Sequence, residues 1–85
     1  MPLIKIYTWN YCPYCVRAKR FFEEKGWTYE EVNLDGKDDE MQKLIEKTHH
    51  RTVPQIFIGE VFIGGYTDMM EKERSGELAK IVENQ

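Results

Sequence analysis

Apolar and polar positions along the chain follow the period of a strand, then that of a helix, then that of a strand again. Residues 3–8 are mostly β-branched, apolar or aromatic, which is typical of a strand buried on both faces. After Pro13, apolar residues recur at helical spacing, at Cys15, Ala18, Phe21 and Phe22, and Lys25-Gly26 is a stop signal. Residues 27–34 alternate as a strand should. The pattern therefore predicts a βαβ unit.

A second helix and a hairpin are predicted in the middle of the chain. Asp35-Gly36 indicates a turn, and Asp38 or Asp39 can cap a helix that ends near His49. The buried face of this helix would consist of four residues at helical spacing: Met41, Leu44, Ile45 and Thr48. Residues 55–59 and 61–64 form two short apolar strands divided at Gly59-Glu60. This tight spacing favours an antiparallel hairpin.

Two further helices are predicted at the C-terminal end. Asp68 followed by Glu71 resembles a capping box that opens a short third helix. After Ser75-Gly76, one side of a last helix carries three apolar residues: Leu78, Ile81 and Val82. The complete order, β-α-β-α-β-β-α-α, describes an α/β fold with a four-stranded mixed sheet flanked by helices.

Length and charge exclude several classes of protein. A chain of 85 residues is the size of one domain, residues 1–85. With 12 basic and 15 acidic residues, its net charge of −3 has the wrong sign for a general nucleic-acid binder. Its apolar runs are far shorter than the roughly 20 residues that span a bilayer. The first residues do not have the pattern of a secretory signal, so we expect a cytoplasmic monomer.

The only two cysteines, Cys12 and Cys15, are separated by Pro13-Tyr14. A disulfide that closes so short a loop would stabilise the chain by only about 2 kcal/mol, which makes a purely structural bond a weak alternative. A structural zinc site needs four ligands, and the chain could add only the adjacent His49 and His50. The third alternative is a redox-active dithiol, which is the usual interpretation of C-x-x-C beside a βαβ pattern. We expect redox chemistry and no metal.

The position of Cys12 favours the reactive thiolate. Pro13 suits the first position of a helix, so Cys12 is predicted to be the N-cap. Unpaired backbone N–H groups and the positive end of the helix dipole face that position. Cysteines in such settings have pKa values of about 3.5 to 7.5 instead of about 8.5. Cys15 lies one turn further into the helix, so Cys12 is expected to attack a disulfide and Cys15 to resolve the mixed disulfide.

Thr52-Val53-Pro54 precedes the third predicted strand. Pro54 could simply be a residue that starts a strand. The alternative is a cis Val53–Pro54 bond, a form found in about 5 to 6% of X-Pro bonds and usually in tight turns. Such a turn would leave the backbone of Val53 free to pair with an extended peptide. A thiol-bearing peptide bound there would be aligned in front of Cys12.

Residues 64–68 suggest a site for a small charged ligand. One interpretation is a strand end, a turn and a helix cap at Asp68. The other is that Gly64-Gly65 allows a ligand to approach the backbone, a helix N-terminus accepts its anion and Asp68 binds its ammonium. A ligand that carries both charges side by side is the α-amino acid end of a molecule.

Three motifs in this order resemble the glutaredoxin family, in its dithiol form: Cys12-Pro13-Tyr14-Cys15, residues 51–58 (RTVPQIFI) and residues 63–68 (IGGYTD). With the order of elements, the resemblance covers nearly the whole chain. It implies a thioredoxin-like fold, a cis Pro54, and glutathione as co-substrate with no tightly bound cofactor. Disulfide-containing or glutathionylated proteins are the implied partners.

The resemblance also implies how glutathione binds. The tripeptide would lie along Tyr14, pair with the backbone of Val53, and place its γ-glutamyl end at Gly65, Thr67 and Asp68. The full expected set is Tyr14, Arg51, Thr52, Val53, Pro54, Gly65, Tyr66, Thr67 and Asp68, beside the catalytic Cys12 and Cys15.

One position departs from the family pattern. Trp9 stands where members often carry a lysine that binds the glycine carboxylate of glutathione. Arg51 is the first candidate to replace it, followed by Lys43 and Arg17. Four aromatic residues would surround the site and suit docking of proteins: Trp9, Tyr11, Tyr14 and Tyr66.

The expected activity is glutathione-dependent reduction of protein disulfides and of protein–glutathione mixed disulfides. One alternative is a redoxin reduced by thioredoxin reductase, which Trp9 keeps open. Another is an iron–sulfur cluster carrier, in which Cys12 of two subunits and two glutathiones hold a shared cluster. Pro13-Tyr14 and a resolving Cys15 argue against the carrier as the main role.

Overall fold

A four-stranded mixed sheet is the centre of the computed structural model, which describes residues 3–84. The strands are β1 (Ile4–Thr8), β2 (Glu30–Asn33), β3 (Gln55–Ile58) and β4 (Val61–Gly64), in the order β2-β1-β3-β4. β1 runs parallel to β2, with Tyr7 opposite Val32, whereas the β1–β3 and β3–β4 pairs are antiparallel. The predicted mixed sheet and its C-terminal hairpin are confirmed.

Four helices complete the described part of the chain: α1 (Pro13–Lys25), α2 (Asp38–Thr48), α3 (Tyr66–Ser75) and α4 (Glu77–Glu83). The element order is therefore the predicted β-α-β-α-β-β-α-α. None of the helices within residues 3–84 is both long and apolar enough to cross a bilayer.

The second strand is shorter than the sequence predicts, because Trp27 closes the last turn of α1 instead of starting the strand. Gly26 has a positive φ of 72°, and the N–H of Trp27 donates to the carbonyl of Phe22 at 3.0 Å. This closure of the last helical turn directs the indole onto Phe21, with ring centroids 5.9 Å apart. Strand pairing starts only at Glu30, opposite Lys5. Alternating hydrophobicity had placed residues 27–29 in the strand, which is wrong.

The predicted caps of α2 and α3 are also wrong. Lys37 is the N-cap of α2, and Asp38 and Asp39 lie inside its first turn, where carboxylates face the positive end of the helix dipole. α3 starts earlier than expected, because Gly65 is its N-cap and Asp68 is its third residue. The carboxylate of Asp68 accepts the N–H of Gly65 at 2.9 Å. Asp68 thus stabilises the helix start from inside the helix.

The two faces of the sheet carry separate apolar clusters, because successive side chains of a strand point to opposite faces. The larger cluster joins the sheet to α1, α3 and α4 and contains Ile4, Ile6, Ala18, Phe22, Ile56, Ile58, Ile63, Met69 and Leu78. The smaller one lies beneath α2 and contains Leu34, Met41, Leu44 and Phe57. Thr48, which the pattern assigned to the buried face of α2, is only half-buried. Because β1 and β3 are antiparallel, the loop that follows β1 and the loop that precedes β3 lie at the same end of the sheet.

Candidate active site

Cys12 is the N-cap of α1, as predicted. Its backbone is extended, and Pro13 is the first helical residue. The N–H of Cys15, the third helical residue, donates to Cys12 Sγ at 3.2 Å, which is the usual contact of an N-cap side chain. The two cysteines form a disulfide. Once that bond is reduced, the same N–H and the start of α1 face the Cys12 sulfur and stabilise its negative charge.

The two sulfurs differ in accessibility. Cys15 is only 2% exposed and belongs to the buried side of α1, whereas Cys12 is partly exposed. A disulfide that approaches from solvent can therefore reach Cys12 before Cys15. This asymmetry supports the expected roles of Cys12 as attacking thiol and Cys15 as resolving thiol.

The loop that carries Cys12 is tied to the end of β2. Asn10 donates its side-chain amide to Asp35 at 3.0 Å and accepts the amide of Asn33 at 3.0 Å. At the end of β1, the buried Thr8 hydroxyl donates to Glu31 at 2.7 Å. This hydrogen bond is the main cause that lowers the pKa of Glu31 below its usual value, against the opposing effect of burial. These contacts hold the end of β1 and the loop that leads from it to Cys12.

The Val53–Pro54 bond is cis, as expected, and its loop lies against the cysteine pair. The carbonyl oxygen of Val53 is 3.8 Å from Cys12 Sγ. The loop connecting α2 to β3 thus places the backbone of Val53 beside the sulfur that is expected to react.

Gln55, the first residue of β3, fixes this loop from inside. It is fully buried, and its Nε2 donates to the carbonyls of His50 at 2.6 Å and Thr52 at 3.1 Å. Its Oε1 accepts the hydroxyl of Thr48 at 2.8 Å. One side chain therefore connects the end of α2 to the loop that contains Val53.

The glycine pair lies across from this loop, and its two members differ in their surroundings. Gly64 has φ +110°, and a Cβ there would lie 2.9 Å from Cβ of Asp68. Gly65 has φ −92°, and the nearest atom to an added Cβ would be the Pro54 carbonyl oxygen at 3.6 Å. Glycine at position 64 is thus required by the backbone, whereas a Cβ at Gly65 would make only ordinary van der Waals contacts at the start of α3.

A cavity of about 210 Å³ lies between the two loops. Its lining residues are Tyr14, His50, Thr52, Val53, Pro54, Gly65, Tyr66, Thr67 and Asp68. The fold therefore brings together eight of the nine residues expected to bind glutathione. The ninth, Arg51, is exposed and is not part of the lining. His50 also lines the cavity, although from the sequence it was a candidate only for a zinc site.

Comparison with known proteins identifies the fold and the cysteine motif. The glutaredoxin family model matches residues 4–63. The chain is 45% identical to a glutaredoxin of Pseudomonas aeruginosa, over 92% of this chain and 93% of the relative. The chain belongs to the glutaredoxin family. Glutaredoxin 3 of Escherichia coli is 38% identical over 92% of this chain and 94% of its own length.

Solved structures agree with this membership. The buckwheat glutaredoxin–glutathione complex superimposes with a TM-score of 0.88 at 34% identity, over 95% of this chain and 76% of that chain. The thioredoxin-like fold that the sequence motifs implied is thereby confirmed. With Cys12 and Cys15 at the start of α1, this glutaredoxin is a thiol–disulfide oxidoreductase.

The three basic candidates for the glycine carboxylate of glutathione occupy different places in this glutaredoxin. The Arg17 guanidinium lies over the Tyr14 ring, 5.2 Å from its centroid, and Tyr14 in turn contacts Tyr66. Arg51 is next to the lining residue Thr52. Lys43 lines a different cavity, beside Val32 and Leu44, and is therefore not at the site.

Proposed function

We propose that this glutaredoxin reduces protein–glutathione mixed disulfides and protein disulfides, with glutathione as the electron donor. The main support is the cavity between the Val53 loop and the start of α3, which lies beside Cys12. It offers an exposed backbone segment and a charged helix start, which are the two features that an extended tripeptide with an amino-acid end requires.

Glutathione would bind across this cavity with its cysteine directed at Cys12. Tyr14 would pack along the tripeptide, the backbone of Val53 would pair with it, and Thr52 and Pro54 would shape the floor. Gly65, Tyr66, Thr67 and Asp68 would receive the γ-glutamyl end. The buckwheat glutaredoxin complex contains glutathione and shares this fold at a TM-score of 0.88, which supports the assignment.

A protein–glutathione mixed disulfide would be reduced by two exchanges. The Cys12 thiolate attacks the glutathione sulfur, the protein sulfur leaves as a thiolate, and glutathione becomes bonded to Cys12. A second glutathione thiolate then attacks the glutathione sulfur on Cys12. Glutathione disulfide is released and the Cys12 thiolate is restored, so each cycle oxidises one free glutathione thiol and reduces one protein sulfur; the other half of the glutathione disulfide comes from the substrate.

A protein disulfide would require Cys15. Cys12 forms a mixed disulfide with one protein sulfur, and the thiolate of Cys15 attacks Cys12 Sγ to release the protein. The resulting Cys12–Cys15 disulfide is the state in the structure. Two glutathiones reopen it in sequence, one bonding to Cys12 and the second removing the first as glutathione disulfide.

The surroundings of the site fit large substrates. Trp9, Tyr11 and Tyr14 are exposed beside Cys12, where flat aromatic surfaces can contact a protein. Arg51, which is exposed and precedes the lining residue Thr52, would reach the glycine carboxylate of glutathione. We further propose that residues 1–85 act as one monomeric domain in the cytoplasm, where glutathione is plentiful.

A glutathionylated peptide with excess glutathione tests this function. Cys12→Ser should abolish release of the peptide thiol, whereas Cys15→Ser should keep a substantial rate because the first route uses Cys12 alone. Equal losses in the two variants would contradict the assigned roles. Turnover with thioredoxin reductase and NADPH but not with glutathione would contradict the proposed electron donor.

A further inference from the structure

His50 lines the cavity but has no part in the sulfur chemistry. Its carbonyl is held by the buried Gln55 amide at 2.6 Å, and its ring packs edge-on against Phe62, with centroids 5.6 Å apart. Backbone and ring are thus both fixed by neighbours. The imidazole is a constrained polar group in the cavity wall.

The polar edge of this ring lies beside Gly65. A Cβ built on Gly65 would be 3.9 Å from His50 Nε2 and also 3.9 Å from Asp68 Oδ2. The two polar atoms therefore both lie beside Gly65, at the start of α3. A ligand group placed against Gly65 would have a carboxylate on one side and an imidazole on the other.

The charges around His50 determine what its protonation would do. From α3, the carboxylate of Asp68 lies on the other side of the same point beside Gly65, and it also accepts the N–H of Gly65. From β4, His50 meets only the apolar ring of Phe62. Its neighbours in the loop, His49 and Arg51, are exposed. A cationic His50 and the Asp68 carboxylate beside Gly65 would match the carboxylate and the ammonium of an α-amino acid end.

We propose that protonated His50 binds the α-carboxylate of the γ-glutamyl group of glutathione, while Asp68 binds the adjacent ammonium. This inference rests on the proposed function and adds a specificity-determining residue to it. Histidine changes charge between about pH 5 and 8. Because the cationic form is the one that attracts a carboxylate, affinity for the γ-glutamyl end should rise as pH falls through that range.

The test is binding of S-methylglutathione, which has no free thiol, to the reduced protein by calorimetry between pH 7.5 and 5.5. For the unmodified protein we expect the dissociation constant to fall about three- to ten-fold over this range, the size of a partly exposed charge-assisted hydrogen bond. His50→Gln should bind with little pH dependence. His50→Arg, which keeps a cation at every pH, should also be flat but tighter than His50→Gln.

His49→Gln is the matched control, because His49 is the exposed C-cap of α2 and does not line the cavity. It should keep the full pH dependence. If His50→Gln keeps that dependence too, the role of His50 is refuted while glutathione binding stands. If S-methylglutathione binds to none of the proteins at any pH, both this inference and the proposed glutathione site are refuted.

Discussion

The backbone N–H of Cys15 points at Cys12 Sγ from 3.2 Å, so the buried cysteine supplies the hydrogen bond that its exposed partner needs. The bond is made by the main chain and is fixed by the first turn of α1. It is available both when Cys12 attacks as a thiolate and when Cys12 leaves as one. The positions of the two cysteines in one helix start thus give them different chemistry.

This relationship predicts an unusually reactive Cys12. In the reduced Cys15→Ser variant, iodoacetamide should modify Cys12 at pH 6 at least about ten-fold faster than it modifies an unstructured cysteine peptide, because more of Cys12 is thiolate. Mass spectrometry over time measures both rates. In Cys12→Ser, the buried Cys15 should react more slowly than the peptide. Equal rates for Cys12 and the peptide would contradict stabilisation by the helix start.

The glycine pair predicts two different consequences of the same substitution. Gly64→Ala should lower the free energy of unfolding by about 1–3 kcal/mol, because its φ of +110° is unfavourable for alanine and its Cβ would meet Asp68. Gly65→Ala should cost at most about 1 kcal/mol, since alanine is a poorer N-cap than glycine. It should raise the KM for glutathione about ten-fold or more, because its methyl group occupies ligand space.

Thermal unfolding and steady-state kinetics separate the two effects. A Gly65→Ala protein with an unchanged KM would show that the γ-glutamyl end does not approach Gly65. If the Gly64→Ala protein is as stable as the unmodified one, the end of β4 accommodates an alanine without loss of stability.

Gln55 predicts a link between stability and substrate binding. Gln55→Leu removes the donor for the carbonyls of His50 and Thr52 and should cost about 1–3 kcal/mol of unfolding free energy. The loop that carries Val53 would also be less ordered, so the KM for glutathione should rise. Urea denaturation and kinetics measure both. Thr48→Val leaves both of these carbonyls bound to Gln55 and removes instead the hydroxyl that bonds Oε1, the Leu44 carbonyl and the N–H of His50, so it should have the smaller effect on the KM.

Features that depend on neighbouring residues could be predicted from the sequence. Pro13 after Cys12 predicts the helix start because proline suits the first helical position wherever the helix packs. Gly64-Gly65 and Thr52-Val53-Pro54 likewise mark turns that nearby backbone geometry requires. These short segments supply four of the nine residues that line the cavity: Thr52, Val53, Pro54 and Gly65.

Features that depend on distant contacts could not be predicted. Alternating hydrophobicity cannot distinguish a strand from a helix end that folds back, so Trp27 was misplaced. A glutamine in an apolar strand gives no sign that it holds the loop before it. His50 and Arg51 are adjacent polar residues, and only the folded loop decides that His50 lines the cavity while Arg51 lies outside it.

The exposed Arg51 predicts a weak, salt-dependent contribution to glutathione binding. Arg51→Ala should raise the KM for glutathione about two- to five-fold at low ionic strength, as expected for an exposed ion pair worth up to about 1 kcal/mol. The effect should shrink in concentrated salt, where such pairs are screened. Arg20→Ala, an exposed arginine of α1, is the control and should change little. If Arg51→Ala has no effect but Arg17→Ala does, the carboxylate partner is the guanidinium beside Tyr14.

The hydrogen bond from Thr8 to Glu31 predicts how stability depends on pH. The bond, supported by Lys19 at 3.1 Å, lowers the pKa of Glu31 from its ordinary value of 4.5. A carboxyl whose pKa is lower in the folded state stabilises the fold above the pKa of the unfolded state, and this stabilisation is lost as pH falls through the folded value.

Glu31→Gln should therefore be less stable than the unmodified protein at pH 7, by up to about 1 kcal/mol because the pair is partly exposed. The difference should disappear as pH is lowered well below 4.5, where Glu31 is protonated. Urea denaturation at pH 7 and pH 3 measures it. Glu30→Gln is the control, since Glu30 lies 3.6 Å from Lys5 and should show a smaller difference. If Glu31→Gln lowers the free energy of unfolding equally at both pH values, the shape of the Glu31 side chain, and not its charge, stabilises the fold.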